Sequence, residues 1–518
     1  MARGRRGMTT GPDVLVVGAG PTGLTTALQA HDHGASVRVV ERRTERFRRS
    51  PAMFVHHQTL ESLRPLGVTD SLLERAERAP QAELHVGRRR VRAHLGDAAA
   101  SDATFPHLAL LPQPDVEEVL AAALHQRGVE IERGVEVVDA SSDDDAAHAT
   151  LRTAGRVEET TCRFLAACDG PTSTVRTEAG IAWRGATYRE EVVLADVELD
   201  GDLAPGLLHV AVGRDGLVFL FALGERATWR LLATRPGHDG AGPFGQPGAG
   251  LPTAEVQDLL DATGLDVTVR DLAWSARVRL QHRLAGSFRQ SRLFLAGDAA
   301  HAHSPAAAQG MNTGILDAVN LGWKLAFAGE TGPRSDLLDS YSEERRPVAR
   351  QVLALTHLVF YAEASTNPLS TYLRGTLLPL AASALPVLVR QRLLKAQVVR
   401  LLSQGWVHYR RSPLSITGTP PGDGPQPGDR LPDEEVTHDG RLVRLHELTA
   451  RPGLHVLLQR DALPLDRLRV GTQVTFHRIS SWPGRGLVGV RPDGHVGFRC
   501  GESDPAQLRA WLELVRPR

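Results

Sequence analysis

The spacing of apolar positions changes several times along the 518-residue chain. The continuous apolar run at 14–17 predicts a central parallel strand, because a strand buried on both faces has apolar residues at consecutive positions. Residues 22–33 predict a helix that ends at Gly34, and VRVVE at 37–41 predicts a second strand. The start of the chain therefore predicts the strand–helix–strand unit of a parallel α/β sheet.

An alternation of apolar and polar positions is typical of the middle of the chain. Between residues 183 and 285, segments such as VVLADVELD, LLHVAVG and LVFLFALG have this pattern, which predicts an antiparallel sheet. Two apolar runs outside this region, RFLAA at 163–167 and RLFLA at 292–296, predict further buried strands of the parallel sheet. We therefore expect the two sheets to be interleaved along the chain.

The last hundred residues predict a unit of their own. The stretch 417–436 is rich in Pro and Gly and predicts a linker. After it, LHVLLQR, VTFHRIS and LVGVRPDGHVGFR predict strands, with a hairpin turn at Asp493-Gly494, and DPAQLRAWLELV predicts a helix. This order favours a thioredoxin-like domain over 425–518. It has no CxxC pair, so we expect it to support packing and to take no part in the chemistry.

Composition and charge exclude some classes of partner. The 60 basic and 60 acidic residues cancel, which indicates no nucleic-acid partner. The three cysteines form no CxxC pair, which favours a reducing, cytoplasmic setting and predicts neither a disulfide framework nor a cysteine zinc site. The most apolar stretch, 377–389, is too short to span a membrane and contains two prolines. It predicts a buried helix, and we expect no stable membrane association.

The first strand leads into a glycine-rich turn with the spacing GxGxxG. Gly18, Gly20 and Gly23 are its glycines, Pro21 and Thr22 lie between them, and a helix follows. In this context Gly18 permits the tight turn, Gly20 lets the backbone approach a pyrophosphate, and Gly23 allows close packing of helix and strand. The carboxylate that would bind ribose hydroxyls is Glu41, at the end of the second strand. The same spacing at 484–489 precedes no helix and predicts no phosphate site.

Two aspartates separate FAD from a nicotinamide cofactor. Asp169 in Cys168-Asp169-Gly170 and Asp298 after Gly297 each follow an apolar strand. In open α/β sheets, ligands bind at the carboxyl ends of the strands. A carboxylate there can accept hydrogen bonds from a polyol, and FAD has a ribityl chain where NAD has none. The sequence therefore predicts an FAD site.

The segment after Asp298 is unusually rich in small residues. Between His301 and Gly310 it is long for a strand-to-helix connection. We expect it to leave room for the flavin ring. The helix that starts near Gly310, Met311 and Asn312 would point its free N–H groups at the ring edge that becomes negative on reduction. His301 and His303 lie in a loop without an HExxH helix or cysteine partners, so we predict no metal.

Together these motifs resemble the single-component FAD-dependent aromatic hydroxylases with the para-hydroxybenzoate hydroxylase fold. The segment that follows GDAAH (297–301) is most similar to the phenol hydroxylase and aromatic polyketide hydroxylase branch, as is LPQPDVEEVL, and SYSEERRPVA and VHYRRSPLS also resemble the family. Gln113 in LPQPDVEEVL matches a glutamine near the flavin in that family. The resemblance implies a Rossmann-like FAD-binding domain, formed by 1–182 and 286–416, that is interleaved with a substrate-binding β-sheet domain at 183–285.

The chain departs from the family pattern after the second strand. Pro51 and Gln58 stand where family members commonly have arginines. We expect Arg42, Arg48 or Arg49 to supply the missing contact with the flavin or the pyrophosphate.

The resemblance implies a monooxygenase. NADPH or NADH would reduce the FAD, O2 would form a C4a-hydroperoxyflavin, and one oxygen atom would pass to an aromatic, phenolic or polyketide-type substrate in a dry cavity. Tyr188, His209, Phe219 and Phe221 are candidates for the cavity wall, and core packing would explain them equally well. The residues indicate no general base, and the enzyme is expected to be a monomer or homodimer. Baeyer–Villiger oxygen insertion and a non-catalytic FAD protein that binds an aromatic compound remain open.

Overall fold

The computed structural model describes most of the chain. The described ranges are 11–45, 52–78, 81–86, 89–94, 105, 108–204, 206–213, 216–223, 229–237, 244–305, 308–329, 335–364, 392–419, 423–459, 473–501 and 504–515. The predictions made for Arg48, Arg49, Pro51 and the stretch 377–389 lie outside these residues. Among the described helices, none combines the length and apolarity needed to cross a bilayer.

The strands of the described residues are, in chain order, β1 Val14–Val17, β2 Val37–Glu41, β3 Phe54–Val55, β4 Glu77–Arg78, β5 Gln81–Val86, β6 Arg89–His94, β7 Ala109–Leu110, β8 Ile131–Arg133, β9 Glu136–Ser142, β10 Ala147–Thr153, β11 Arg156–Cys162, β12 Phe164–Ala167, β13 Trp183–Gly201, β14 Leu207–Val212, β15 Leu217–Ala222, β16 Trp229–Pro236, β17 Val267–Ala285, β18 Arg289–Gln290, β19 Leu293–Leu295, β20 His301–Ala302, β21 Ile416–Thr417, β22 Glu435–His438, β23 Arg441–Arg444, β24 Leu454–Gln459, β25 Val474–Ser480, β26 Leu487–Val490 and β27 Val496–Cys500. The α-helices are α1 Pro21–Asp32, α2 His57–Leu63, α3 Thr69–Arg75, α4 Gln113–Gln126, α5 Thr174–Glu178, α6 Thr253–Asp261, α7 Gln309–Phe327, α8 Ser335–Ala364, α9 Arg392–Leu402, α10 Leu445–Leu448 and α11 Pro505–Val515.

A six-stranded sheet with the order β18-β19-β12-β1-β2-β8 forms the first layer. Strand β1 pairs in parallel with β2 and β12, and β12 pairs in parallel with β19, so the predicted parallel α/β unit is confirmed. All residues of β1 and β12 are buried, as their uninterrupted apolar runs predicted. Because the strands are parallel, their carboxyl ends lie at one edge, where the glycine turn and both aspartates follow.

An eight-stranded sheet with the order β20-β17-β13-β16-β15-β14-β5-β6 forms the second layer. Its central pairs, including β13 with β16 and β17, are antiparallel, which confirms the antiparallel strands predicted between 183 and 285. The sheet also includes β5 and β6, which come from earlier in the chain, and β5 pairs in parallel with β14. One face covers an apolar core with α6, and the opposite face lines a large cavity.

A seven-stranded sheet with the order β21-β27-β26-β24-β25-β22-β23 forms the C-terminal unit. The predicted hairpin is confirmed: β26 and β27 are antiparallel, and Gly494 in the turn has a φ of +76°. The motif at 484–489 leads into β26 and not into a helix. Helix α11 packs on this hairpin so closely that a Cβ at Gly489 or Gly497 would lie 2.5 or 2.6 Å from the Trp511 ring.

The segment predicted as a linker is instead packed on the protein. The backbone N–H of Gly428 donates to Val496, its carbonyl accepts from Tyr409, and Arg430 forms an ion pair with Glu61. A Cβ at Gly428, whose φ is +92°, would lie 2.3 Å from the backbone nitrogen of Arg410. The linker prediction is therefore wrong for the described residues, because small residues here serve close packing between two units.

Four buried charges connect the C-terminal unit to the rest of the chain, and we call them the docking cluster: Lys324 of α7, Glu344 of α8, and Arg491 and Asp493 of the hairpin. The Arg491 guanidinium donates to both oxygens of Glu344, at 2.7 and 2.8 Å, and also to Asp493. The Lys324 ammonium donates to Glu344 at 2.8 Å. Burial lowers the pKa of Lys324 to about 8. Burial alone would raise the pKa of Glu344, but the charges of Arg491 and Lys324 hold it below its ordinary value.

Candidate cofactor and substrate site

A cavity of about 560 Å³ lies between the carboxyl edge of the parallel sheet and one face of the eight-stranded sheet. Its polar end is lined by the predicted residues Gly18, Gly20, Pro21, Thr22, Glu41, Arg42, Gln113, Asp169, Asp298, Gly310 and Met311. Its apolar end is lined by Leu208, Phe219, Phe221, Leu232, Val278 and Phe360. The site therefore combines hydrogen-bonding groups at one end with an apolar wall at the other, as expected of a pocket for an organic ligand.

The glycines of the first turn serve different purposes. A Cβ at Gly18, whose φ is +104°, would lie 2.3 Å from the Cys168 carbonyl oxygen, and a Cβ at Gly23 would lie 1.9 Å from the Gly18 carbonyl oxygen. Protein packing therefore explains these two glycines. A Cβ at Gly20 would meet no protein atom within 4 Å. Open space beside the N-terminus of α1 is what a bound pyrophosphate requires, because the free N–H groups of the first helical turn attract anions.

Glu41, at the end of β2, stabilises this turn through hydrogen bonds. One carboxylate oxygen accepts a hydrogen bond from the Ala19 backbone N–H at 2.8 Å, and the other accepts one from the Arg43 backbone N–H at 2.9 Å. A carboxylate oxygen can accept more than one hydrogen bond, so Glu41 can also bind hydroxyl groups in the cavity. Arg42 lines the cavity beside it, whereas Gln58 lies outside the wall of this cavity.

Asp169 and Asp298 have acceptor oxygens without protein partners. Asp169 caps α5, since one oxygen accepts from the Thr174 N–H at 2.9 Å, but its other oxygen is buried and has no partner among the described residues. The Asp298 carboxylate faces the cavity and accepts no hydrogen bond recorded among the described residues. Burial raises the pKa of both. A buried oxygen without a partner, as in Asp169, is costly, and the exposed Asp298 carboxylate is open to the cavity, so this pair fits a ligand that supplies several hydroxyl donors.

A buried network holds the Gly297–Asp298 turn in place. The Asp317 carboxylate of α7 accepts from the Gly297 N–H at 3.2 Å and lies 2.6 Å from the His301 Nε2 atom. Arg345 donates to its other oxygen at 2.6 Å. Burial would raise the pKa of Asp317, but Arg345 and His301 hold it below its ordinary value. Sequence reasoning missed Asp317, although a lone aspartate on an apolar helix was a usable signal.

Helix α7 begins at Gln309, after Ala308 in the left-handed conformation, so the predicted helix start is confirmed. Gly310 and Met311 in its first turn line the cavity. The Asn312 side chain does not line the cavity, and the role predicted for the N–H groups at the start of α7 stays a prediction. The Asn312 amide accepts from the His56 N–H and the Thr59 hydroxyl, and donates to two backbone carbonyls, one of them Phe54. Asn312 therefore joins α7 to β3 and α2.

The apolar end of the cavity corrects two of the four residues proposed for its wall. Phe219 and Phe221 line it, with stacked rings whose centroids lie 6.4 Å apart. His209 is paired with Leu220 across the strands and therefore lies on the opposite face of the sheet. Tyr188 packs behind the wall against Phe360, with ring centroids 4.5 Å apart. Side chains alternate between the two faces of a strand, and this alternation excludes His209 from the cavity wall. The position of Tyr188 depends on the packing of α8.

The cavity wall also contains Glu117, Glu363 and His303, of which only His303 was considered from the sequence. Glu117 accepts a hydrogen bond from the Gln113 amide at 2.7 Å, and burial raises its pKa to about 7. Burial also raises the pKa of Glu363, on α8 one turn after Phe360, to about 7. The Nε2 atom of His303 has no partner among the described residues, and burial lowers the pKa of this imidazole to about 4.

Comparisons with known proteins agree with this geometry. Residues 12–356 match the family described as FAD binding domain. A 6-methylpretetramide 4-monooxygenase of Streptomyces rimosus is 35% identical over 457 residues, which are 87% of this chain and 77% of that protein. The structure of the anhydrotetracycline hydroxylase OxyS from Streptomyces rimosus matches with a TM-score of 0.78 and 26% identity, over 98% of this chain and 99% of that one. The Diels–Alderase PyrE3 of pyrroindomycin biosynthesis matches with a TM-score of 0.75 and 25% identity, over 98% and 99%.

Proposed function

The chain belongs to the FAD binding domain family as a single-component, flavin-dependent aromatic monooxygenase, and from this premise we propose that it hydroxylates an aromatic polyketide-type substrate with bound FAD, O2 and NADPH or NADH. One observation carries the proposal. A single cavity has acceptors without protein partners, Asp169 and Asp298, at one end and the aromatic wall of Phe219 and Phe221 at the other. Flavin and substrate would thus meet in one enclosed space. The relatives named for tetracycline-type substrates support the polyketide class.

The polar end has a suitable group for each part of FAD. The backbone beside Gly20 and the start of α1 would bind the pyrophosphate, and Glu41 would bind ribose hydroxyls. Asp169 and Asp298 would accept hydrogen bonds from the remaining hydroxyls. The first turn of α7 would face the ring edge that becomes negative on reduction, a contribution of roughly 0.3–1 kcal/mol. Bound FAD would supply the electron transfer and oxygen activation that no side chain can provide.

The protein would supply a dry space and a proton acceptor. Apolar side chains such as Leu208, Leu232 and Val278 exclude water from the substrate end, which would limit side reactions with water during oxygen transfer. Glu363 lines the same cavity one helical turn beyond Phe360, and its pKa of about 7 suits a group that accepts the proton of a phenolic hydroxyl near neutral pH. We propose Glu363 as this acceptor, although the residues alone indicated no general base.

A second candidate function follows from the match to a Diels–Alderase over nearly the whole chain. Ring formation of that type needs no net oxidation, so this chain would catalyse it without consuming NADPH. The unpartnered carboxylates would serve FAD binding in either case, and the apolar end of the cavity would accept a polycyclic substrate in both.

The test uses purified holoprotein with NADPH or NADH, ¹⁸O2 and a panel of polycyclic phenolic polyketides. We expect aromatic compounds to stimulate reductant oxidation and the product to contain one ¹⁸O atom on a ring carbon. Incorporation between a carbonyl carbon and its neighbour would identify Baeyer–Villiger insertion instead. A substrate that is converted without ¹⁸O or reductant oxidation would support the Diels–Alder alternative. If Glu363 accepts the proton, turnover in the wild type should rise as the pH increases through about 7. Glu363→Gln should shift or abolish this rise and keep FAD binding.

For the remaining parts of the chain we propose a thioredoxin-like arrangement of the C-terminal unit without redox activity, a cytoplasmic setting and a monomer or homodimer. The unit combines a mixed sheet with α11 on one face, and Cys500, buried in it, has no cysteine partner. Among the described residues, those that line the cavity end at Leu402, which supports a packing role for the C-terminal unit.

A further inference from the structure

Three side chains with metal-binding atoms lie together on the face of the eight-stranded sheet that points away from the cavity. Glu83 and His85 belong to β5, and His209 belongs to the neighbouring parallel strand β14, directly opposite Glu83. All three are buried, with exposed fractions of 3%, 4% and 0%. Burial of polar groups is costly unless they are paired, so three polar side chains in one buried site require mutual contacts or a bound ion.

The three ligand atoms surround one point. The Nε2 atom of His85 lies 2.9 Å from the Nδ1 atom of His209, and the Glu83 Oε1 atom lies 3.5 Å from the first and 3.8 Å from the second. A tetrahedral zinc ion with bonds of about 2.0–2.2 Å holds its ligand atoms about 3.4 Å apart. A small separation of the two imidazoles would bring all three atoms to bonding distance.

The surrounding contacts orient these atoms toward that point. The His209 Nε2–H donates to the Ala204 carbonyl at 3.0 Å, which leaves the lone pair of Nδ1 directed at the cluster. Glu83 accepts from Arg92 through its other oxygen, Oε2, at 2.7 Å. Metal-binding histidines and carboxylates are commonly held by such outer contacts.

The contact between the two histidines sets their tautomers in the metal-free protein. Because the His209 Nε2–H donates to Ala204, the His209 Nδ1 atom accepts and the His85 Nε2–H donates. Metal binding at the His85 Nε2 atom therefore requires the proton of this ring to move to its Nδ1 atom, and the imidazole stays neutral.

We propose that Glu83, His85 and His209 bind one divalent transition-metal ion, with zinc as the best match, and that a water molecule completes the coordination. The ion would connect β5 to β14. These strands are the parallel pair that joins the hairpin of 81–94 to the sheet of 183–285, and their two histidines are 124 residues apart in the chain. The role is structural, because the site lies on the opposite face of the sheet from the flavin and substrate cavity.

The test measures metal content and affinity in the FAD-loaded, full-length protein. After removal of metal with a chelator, the protein is titrated with zinc by calorimetry, and metal per chain is measured by mass spectrometry. Cobalt is added separately, because tetrahedral cobalt absorbs at wavelengths beyond the flavin bands. His85→Gln, His209→Gln and Glu83→Gln each remove one ligand. His148→Gln removes an exposed histidine that is paired with Asp143 and serves as the matched control.

We expect one zinc ion per chain, a rise in melting temperature with zinc, and tetrahedral cobalt bands. Each ligand variant should lose more than the 10–100-fold in affinity that loss of an outer contact costs, while His148→Gln binds as the wild type does. FAD content verifies that each variant is folded. The proposal would be overturned if the wild type bound no stoichiometric zinc, or if the wild type and all ligand variants bound zinc with equal affinity. The cluster would then be only a hydrogen-bonded pair of histidines beside Glu83. Cobalt without tetrahedral bands would exclude the proposed geometry.

Discussion

Carboxylates lie in two contrasting regions of this enzyme, the wall of the cavity and the buried docking cluster. In the cavity, Asp169 has one oxygen without a partner and Asp298 faces open space. In the docking cluster, Arg491 and Lys324 donate to Glu344, and Asn320 donates to both Glu344 and Asp493. One region has acceptors in excess, and the other has its donors and acceptors matched.

The contrast distinguishes charges that bind a ligand from charges that stabilise the fold. A buried charge that the protein itself satisfies contributes to the geometry of the fold, and removal of one partner leaves the others uncompensated. A buried acceptor that the protein does not satisfy is costly unless a ligand supplies the donors. Substitutions in the docking cluster should therefore affect stability, whereas substitutions in the cavity should affect FAD.

The largest effect is expected for Arg491→Met. It removes the shared partner of Glu344 and Asp493, and loss of one partner from a buried ion pair costs about 3–5 kcal/mol. The free energy of unfolding, measured with denaturant, should fall by this amount. Arg410→Met is the matched control, because the Arg410–Asp429 pair is exposed and worth about 1 kcal/mol or less. Equal losses in the two variants would contradict a structural role for the cluster.

The next largest effect distinguishes the two kinds of glycine. Gly20 has a φ of −78°, which alanine adopts freely, and a Cβ there meets no protein atom. Gly20→Ala should leave the stability of the apoprotein unchanged and weaken FAD binding at least a hundredfold, or about 2.7 kcal/mol. Gly23→Ala should destabilise the apoprotein itself, since its Cβ would overlap the Gly18 carbonyl. Thermal melting of apoprotein and fluorescence titration with FAD measure both. Normal FAD affinity in Gly20→Ala would refute the phosphate site.

Asp298→Ala should have a smaller effect on the same ligand. A hydrogen bond to a charged group is worth roughly 1.5–3 kcal/mol, so FAD should bind about ten- to a hundredfold more weakly. The apoprotein should keep its stability, because this carboxylate accepts no hydrogen bond recorded from the described residues. Asp271→Ala, at an exposed position of β17, should bind FAD normally. If the two variants bind FAD equally well, Asp298 has no part in cofactor binding.

The last effect is a pH dependence at Glu117, which disappears at pH 4. Burial raises its pKa from 4.5 to about 7 in the folded protein, so the folded state favours the neutral carboxyl. Wild-type apoprotein should therefore lose stability as the pH rises from about 4.5 through about 7, and Glu117→Gln should remove this loss. The difference between 4.5 and about 7 is worth roughly 3 kcal/mol, so the variant should be more stable by up to about 3 kcal/mol at pH 8 and no more stable at pH 4, as measured by unfolding at both values. If the free energy of unfolding differs between wild type and Glu117→Gln by the same amount at pH 4 and at pH 8, the pKa assigned to Glu117 is wrong. Glu118→Gln, at an exposed position, is the control.

The polar end of the cavity was predictable from the sequence, whereas the packing of the stretch 417–436 was not. The turn at Gly18–Gly23, the helix after it and the strand ends before Asp169 and Asp298 were predicted from local patterns. Parallel strands place their carboxyl ends at one edge whatever the rest of the chain does, so the polar end of the cavity was accessible to sequence reasoning. The stretch 417–436 was misinterpreted because Pro and Gly content is the same for a free linker and for a segment packed closely on its neighbours.

The amino-acid sequence by itself determined the parallel unit, the glycine turn, the carboxylates of the cofactor end and the family, because each depends on a periodicity or a motif within a few dozen residues. Only the tertiary structure decided which distant groups meet. His209 faces away from the cavity and toward Glu83 and His85, Asn312 joins α7 to α2, and the docking cluster unites residues of α7, α8 and the C-terminal hairpin. Such partners are chosen by the packing of whole sheets and helices, and neither spacing nor composition along the chain specifies them.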